Sequence, residues 1–241
     1  MNLLEVRTKL VELSGRYDLV TDVTSYADNG ADFFIKAGQD YLDRSGTFSK
    51  SVSKVYNDIA ASAFYTLMQR ARAVQEVWVS NAEGKYKLEK RDLAAIKAYY
   101  SDPIADIDTG RPLFYSPAAI RTVPRTDDEI TIDSFYGTAY TYAADDFSYD
   151  AIVHYPPADE AYQIEVWGLF YSAELTLDAS ESWWTIKHPA TLIKAALREI
   201  EVFYRNTEGV KDWGLAVGED TVGIDKDLVE QDISEINQME G

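Results

Sequence analysis

Apolar residues at the start of the chain recur with a helical period. Leu3, Val6, Leu10 and Leu13 fall on one face, and Gly15 follows as a stop. A polar connector, Arg16 to Asp28, leads to a second helical pattern in which Asn29 is the expected N-cap and Asp32 favours the positive helix end. Phe34, Ala37, Tyr41 and Leu42 form its expected buried stripe, with Arg44 in the last turn and Gly46 beyond it.

From about Thr47 the period shortens towards two, which predicts strands. Ala63–Met68, Ala73–Ser80 and Lys85–Glu89 are the first, with a hairpin break at Asn81-Ala82-Glu83-Gly84. A short helix over Asp92–Tyr100 ends before Pro103 and the Gly110-Arg111-Pro112 turn. Further strands are expected at Leu113–Tyr115, Glu129–Phe135, Thr138–Tyr142, Ala151–Tyr155 and Tyr162–Phe170. In the last, Tyr162, Ile164, Val166, Gly168 and Phe170 alternate onto one side. The aromatic residues of this region are read as core and interface packing.

The helical period returns at His188-Pro189, where proline at a first helical position costs no hydrogen bond. Leu192, Ile193, Ala196, Leu197, Ile200, Phe203 and Tyr204 then trace the clearest amphipathic stripe in the chain. Past Asn206 the sequence turns acidic, with ten acids against Lys211 and Lys226, a net of −8. There Leu228, Ile233 and Ile236 mark a stripe that fits either a docking helix or a loose tail. The order helix pair, β-rich middle, helix pair predicts an α+β protein. Its expected form is an antiparallel four-helix bundle made of residues 1–46 and 188–241, with a sandwich-like β-rich domain, residues 47–187, inserted between the halves.

Composition narrows the function. The 241 residues are 46% hydrophobic, enough for a core, and contain no cysteine, which removes disulfides, thiolate metal sites and a catalytic thiol together. No signal peptide or apolar run of spanning length is visible, so a soluble protein made in the cytoplasm is expected. The 23 basic and 41 acidic residues leave a net charge of −18, without the basic stripe that gripping nucleic acid requires. That acidity serves solubility, or lines a surface past which DNA slides without sticking.

Catalytic patterns are missing. No phosphate loop, dinucleotide fingerprint, nucleophile elbow or zinc-protease helix is present, and His154 and His188 are the only histidines. Both are read as packing or capping residues, since nothing at metal-ligand spacing accompanies them. Asp127-Asp128-Glu129 and Asp145-Asp146 are glycosidase candidates by residue type alone. Asp225 and Asp227 begin like a calcium loop, but Glu230 stands where such a loop requires glycine. The chain is therefore expected not to be an enzyme and to hold no metal or cofactor.

Two stretches carry a family resemblance. The first is Leu3–Arg16 with Phe33–Asp43. The second runs from Pro156–Tyr162 through Val166–Ser172 to His188-Pro189 and Ala195–Glu201. The opening helix, the aromatic second helix, the Tyr162-x-x-x-Val166-Trp167 strand and the His-Pro helix start together resemble the head-to-tail adaptor (connector) proteins of tailed bacteriophages. Residues Thr47 to Asp150 lie outside the resemblance. Membership implies a structural virion protein at the head–tail junction, a homo-oligomeric ring (a dodecamer) docked beneath the portal protein and carrying a tail or nozzle protein. It implies that the bundle lines a channel through which genomic DNA passes unbound, with assembly in the host cytoplasm and no membrane contact. Leu192, Ile193, Leu197, Ile200, Phe203 and Tyr204 would then form a ring-packing helix, and Leu228, Ile233 and Ile236 the anchors on the portal or a neighbour. The competing expectation is a carbohydrate-binding β-sandwich module of a phage tail, stacking sugars on exposed tryptophans such as Trp183 and Trp184.

Overall fold

The computed structural model describes residues 1–45, 53–68, 70–99, 108–119, 131–133, 139–141 and 150–239, less the side chains at 53, 119, 131–133, 139–141, 150 and 225–239. The protein is mixed α+β, and the chain divides into two compact units, Met1–Ser51 with Tyr171–Gly241, and Val52–Phe170.

The first unit is helical among its described residues: α1 (Leu3–Ser14), α2 (Ala31–Ser45), α4 (Trp183–Lys187), α5 (Pro189–Phe203) and α6 (Thr207–Met239). Helix α1 starts in a capping box, in which Asn2 Oδ1 accepts the Glu5 N–H at 2.9 Å and Glu5 accepts the Asn2 N–H at 3.1 Å. Such a cap contributes about 1 kcal/mol. It ends at Gly15, whose φ of 68° is left-handed, with its N–H on the Val11 carbonyl at 2.9 Å.

The buried face of α1 departs from the sequence expectation. Leu13 is exposed, and the face runs instead through Leu3, Val6, Arg7, Leu10 and Val11. Arg7 can be buried because its guanidinium spans Asp32 with two hydrogen bonds at 2.7 and 2.8 Å, meets Asp178 at 2.7 Å and donates to the Tyr26 carbonyl at 3.0 Å. A charge leaves water cheaply only when paired in this way.

Two further details of α2 differ. Asp28, not Asn29, accepts the Asp32 N–H, at 2.9 Å, while the Asn29 amide donates to the Asp18 carbonyl. The buried stripe is Ala31, Phe34, Ile35, Gly38, Gln39, Leu42 and Asp43, so Ala37 and Tyr41 lie on its flank. Gly38 sets the phase, because α2 crosses the Ala195–Ala196 turn of α5 so closely that a methyl at Gly38 would sit 2.7 Å from the Ala196 nitrogen.

Residues 171–187, which the strand-like period assigns to the β region, pack with the helices. The Ser172 N–H and hydroxyl both donate to Asp43 at 2.8 Å, and the Leu3 and Leu4 N–H groups reach the Ser180 and Asp178 carbonyls. Helix α6 starts well before Asp227 and runs antiparallel to α5. Thr191 and Lys194 meet Asp220 at 3.0 and 2.8 Å, while Glu201 lies against Gly209 near the other end. This register leaves the last seventeen or so residues of α6, about 25 Å of helix, beyond the start of α5.

The second unit contains β1 (Ser53–Ile59), β2 (Tyr65–Leu67), β3 (Ala71–Asn81), β4 (Gly84–Lys87), β5 (Glu89–Lys90), α3 (Leu93–Tyr99), β6 (Phe114–Ala119), β7 (Thr131–Asp133), β8 (Ala139–Thr141), β9 (Asp150–Tyr155) and β10 (Tyr162–Phe170). One sheet has the order β1-β10-β3-β4 and a second β2-β9-β6-β5, with β7 and β8 a separate pair. Among the described strands the pairings are antiparallel except β5 with β6. Ile59, Val77, Val79, Ile164 and Val166 of the first sheet share a core with Met68, Tyr115 and Ile152. Each such aliphatic side chain contributes about 1.5–3 kcal/mol by leaving water. Val153, on the other face of β9, packs with Phe64 and with Ile96 of α3. Strand β1 is absent from the sequence expectation: Val55 and Ile59 face inwards, but Asn57 between them breaks the apolar line.

Candidate functional site

The amphipathic stripe of α5 divides in two. Leu192, Ile193, Leu197 and Ile200 are buried in the core of their own unit, together with Leu3, Leu10, Ile35 and Trp184. Phe203 and Tyr204, at the end of the same stripe, are 65% and 49% exposed. They are joined by Phe33, 64% exposed, through a chain of edge-on rings. Phe33 meets Phe34 at 5.3 Å, Phe34 meets Phe203 at 5.8 Å, and Phe203 meets Tyr204 at 5.5 Å between centroids. The Arg16 guanidinium lies 4.2 Å over the Tyr204 ring, donates to its hydroxyl, and is also bonded to Asp18. Arg205 follows in a left-handed turn with φ 58°. Contiguous exposed aromatics with a cationic rim are the usual make-up of a protein–protein contact.

A second exposed apolar line runs along α6. Val217, buried, and Ile224, half-buried, face the unit's core, whereas Leu215 and Val222, 70% and 52% exposed, lie on the opposite side. The side chains of Leu228, Ile233 and Ile236 lie outside the described residues, but the backbone there is helical.

Among the candidate chemical groups, His154 is buried on β9, with Nδ1 3.5 Å from the Pro156 carbonyl oxygen, and burial pushes its pKa down to about 4. His188 joins α4 to α5 and packs edge-on to Trp183 at 4.8 Å. Trp183 and Trp184 do not form a shared platform. Trp184 is 1% exposed and its indole N–H donates to Asp43 at 2.7 Å, leaving Trp183 alone partly at the surface. No cluster of three or more potential metal ligands exists among the described residues. Asp225 and Asp227 lie on the helical backbone of α6, not on a loop. Asp127, Asp128, Glu129, Asp145 and Asp146 fall outside the described residues. An open cavity of about 400 Å³ between β3 and the second sheet is lined by Met68, Arg72, Lys90, Pro117 and Ile152, among others, and by no carboxylate among the described residues.

The outer face of the first sheet holds an array that the sequence reading assigned to packing. Register places Lys54, Trp167 and Glu76 in one row and Tyr56, Glu165, Trp78 and Lys87 in the next. The Trp78 indole donates to Glu76 at 3.1 Å and that of Trp167 to Glu165 at 2.6 Å. Lys54 lies 5.3 Å from the Trp167 ring and Lys85 5.3 Å from that of Trp78. The Lys85 ammonium holds the Glu165 carboxyl below the usual carboxylate range. Strict alternation along β3 and β10 carries this signal, since Trp78 and Trp167 fall out of phase with the core residues Val77, Val79, Ile164 and Val166.

Among the described residues no helix is long and apolar enough to cross a membrane. No protein-family model matches the chain, and no curated protein compared with it matches.

Proposed function

We propose that this protein is a structural head-to-tail adaptor of a tailed bacteriophage, not an enzyme. Its subunits form a ring, a dodecamer, beneath the portal protein and present a platform to a tail or nozzle protein. The helical unit acts as an antiparallel four-helix bundle that lines the DNA channel, and the inserted β unit is a sandwich-like domain. The observation that carries the reading is the exposed aromatic group Phe33, Phe203 and Tyr204 on a unit whose core is already complete without it. A ring of identical subunits needs such a surface, because each copy must offer its neighbour a contact distinct from the one it receives. The assembly of the helical unit from both chain ends, Met1–Ser51 with Tyr171–Gly241, agrees with the helix–β–helix order of the resemblance. The acidity, −18 overall, suits a wall that DNA passes without binding.

Electron microscopy of the purified protein, alone and mixed with portal rings from the genome that encodes it, tests this. Decorated portals are expected; portals that remain bare at saturating protein refute it.

The Tyr56, Trp78 and Trp167 array favours a second reading, a carbohydrate-binding tail module. Saturable binding on a glycan array, lost in Trp167→Ala, would establish that reading, and an array without signal removes it.

A further inference from the structure

We infer that the outward face of α6 is the seat for the Phe33–Phe203–Tyr204 patch of a neighbouring copy of this chain. The inference rests on the ring reading for its closed geometry and adds the two surfaces that meet.

From Glu208 to Ile224 the exposed residues of the helix are Glu208, Lys211, Asp212, Leu215, Gly218, Glu219 and Val222. They fall on one side at the three- and four-residue spacing of a single face. Leu215 and Val222 run down its centre on the line that Glu208 begins, with Asp212 and Glu219 along one edge and Lys211 and Gly218 along the other. Gly218 sits between the two aliphatic residues, and a methyl placed there would touch nothing within 4 Å. A glycine inside a helix weakens it, and here no close approach within the chain compensates. Leu215, Gly218 and Val222 thus outline a shallow hollow with apolar side chains on either side and no side chain at its floor. The sequence repeats the line at seven-residue intervals, Leu215, Val222, Val229 and Ile236. That is the spacing of a helix face that meets a partner.

Charge selects the occupant. Two α6 faces would bring together segments that each carry ten acids against two lysines. The aromatic patch instead carries Arg205 next to Tyr204 in the chain, and Arg16 over the Tyr204 ring is balanced by Asp18, so the patch has no acid excess of its own to repel the acidic edge of the hollow. The patch cannot fill the hollow of its own chain. The antiparallel register sets Phe203 level with about residue 208, and the hollow faces away from α5. Hollow and patch are different surfaces of one subunit, so their contact is heterologous and propagates from copy to copy.

The natural absence of cysteine makes the test direct. Leu215→Cys and Phe203→Cys are introduced singly and together into the full chain, which is oxidised at the highest soluble concentration. The double variant is expected to give a ladder of disulfide-linked oligomers on a non-reducing gel, and each single variant only monomer. Dimers from Leu215→Cys alone, or no ladder from the double variant, overturn the inference. Gly218→Leu supplies a control that does not depend on disulfide geometry. It fills the hollow and is expected to weaken self-association in sedimentation by at least about tenfold while raising the melting temperature, since leucine is the better helix former. Unchanged self-association overturns the inference. A ladder from protein that leaves portal rings bare keeps this contact and removes the adaptor reading. Portal rings decorated by a double variant that does not cross-link do the reverse.

Discussion

Gly38→Ala sets two opposing effects against each other in one substitution. Alanine is favoured over glycine in a helix interior by up to about 1 kcal/mol, so propensity alone predicts stabilisation. The new methyl, however, would lie 2.7 Å from the Ala196 nitrogen and 3.0 Å from the Ala195 carbonyl carbon and the Ala196 Cα. All three are backbone atoms of α5, which cannot rotate aside as a side-chain tip would. Relief requires α2 and α5 to separate, which loosens Phe34, Ile35 and Leu42 against Leu192, Ala195 and Ala196 in the same core. Overpacking of this kind costs about 1–3 kcal/mol, so the net expectation is a loss of about 0–2 kcal/mol once a propensity gain of about 1 kcal/mol is subtracted. Urea unfolding followed by circular dichroism at a helical wavelength measures it. The matched control is Gly218→Ala, where nothing lies within 4 Å and the full propensity gain of about 1 kcal/mol is expected. If Gly38→Ala stabilises as much as Gly218→Ala, the close crossing of α2 and α5 is refuted.

Three further outcomes follow from buried polar groups. Arg7→Ala strands the Asp32 carboxylate and should cost about 3–5 kcal/mol in urea unfolding, whereas Asp178→Asn, at a partner whose side chain is 60% exposed, should cost no more than about 1 kcal/mol. His154 has its pKa lowered from 6.5 to about 4, so below pH 6.5 the unfolded chain binds a proton that the folded one refuses. Stability is therefore expected to fall by up to about 3 kcal/mol as pH drops through that window and to level off below it. His154→Gln should remove that component of the pH profile, and an identical profile in the variant would sink the assignment. Trp184→Phe removes a donor from the buried Asp43 carboxylate and should cost about 1–3 kcal/mol, while Trp183→Phe should be near neutral by the same thermal or urea measurement.

Much of the framework is legible in the sequence because it follows from local rules. Gly15 ends α1 through its left-handed conformation, Pro189 opens α5, and the alternation of Ile164 and Val166 marks β10. Errors arise where a distant partner changes what a residue can tolerate. Arg7 replaces Leu13 on the buried face of α1 because Asp32 and Asp178, 25 and 171 positions away, neutralise it. Trp183 and Trp184 are indistinguishable as neighbours in sequence, and only Asp43, 141 positions from Trp184, decides which is buried. No period analysis along a single chain carries such information.

The same limit explains why the candidate surface is only half readable. An amphipathic pattern reports that a face is apolar, not what covers it. In α5 one stripe runs unbroken from Leu192 to Tyr204, yet its first turns are covered by the unit itself and its last residues are not. In the first half of α6 the apolar residues divide into two lines about half a turn apart, Val217 with Ile224 and Leu215 with Val222, which the sequence alone does not tell apart. Separating the lines requires knowing where α5 lies, which Val217 supplies by being buried and Leu215 by being exposed. Once they are separated, a uniformly acidic helix becomes one with an inner face committed to its own fold and an outer face that the described residues of its unit leave exposed. The stability of the isolated subunit should therefore depend on Val217 and hardly on Leu215, whereas association between subunits should depend on Leu215. A helix serving only the fold of its own chain would not divide the two residues in this way.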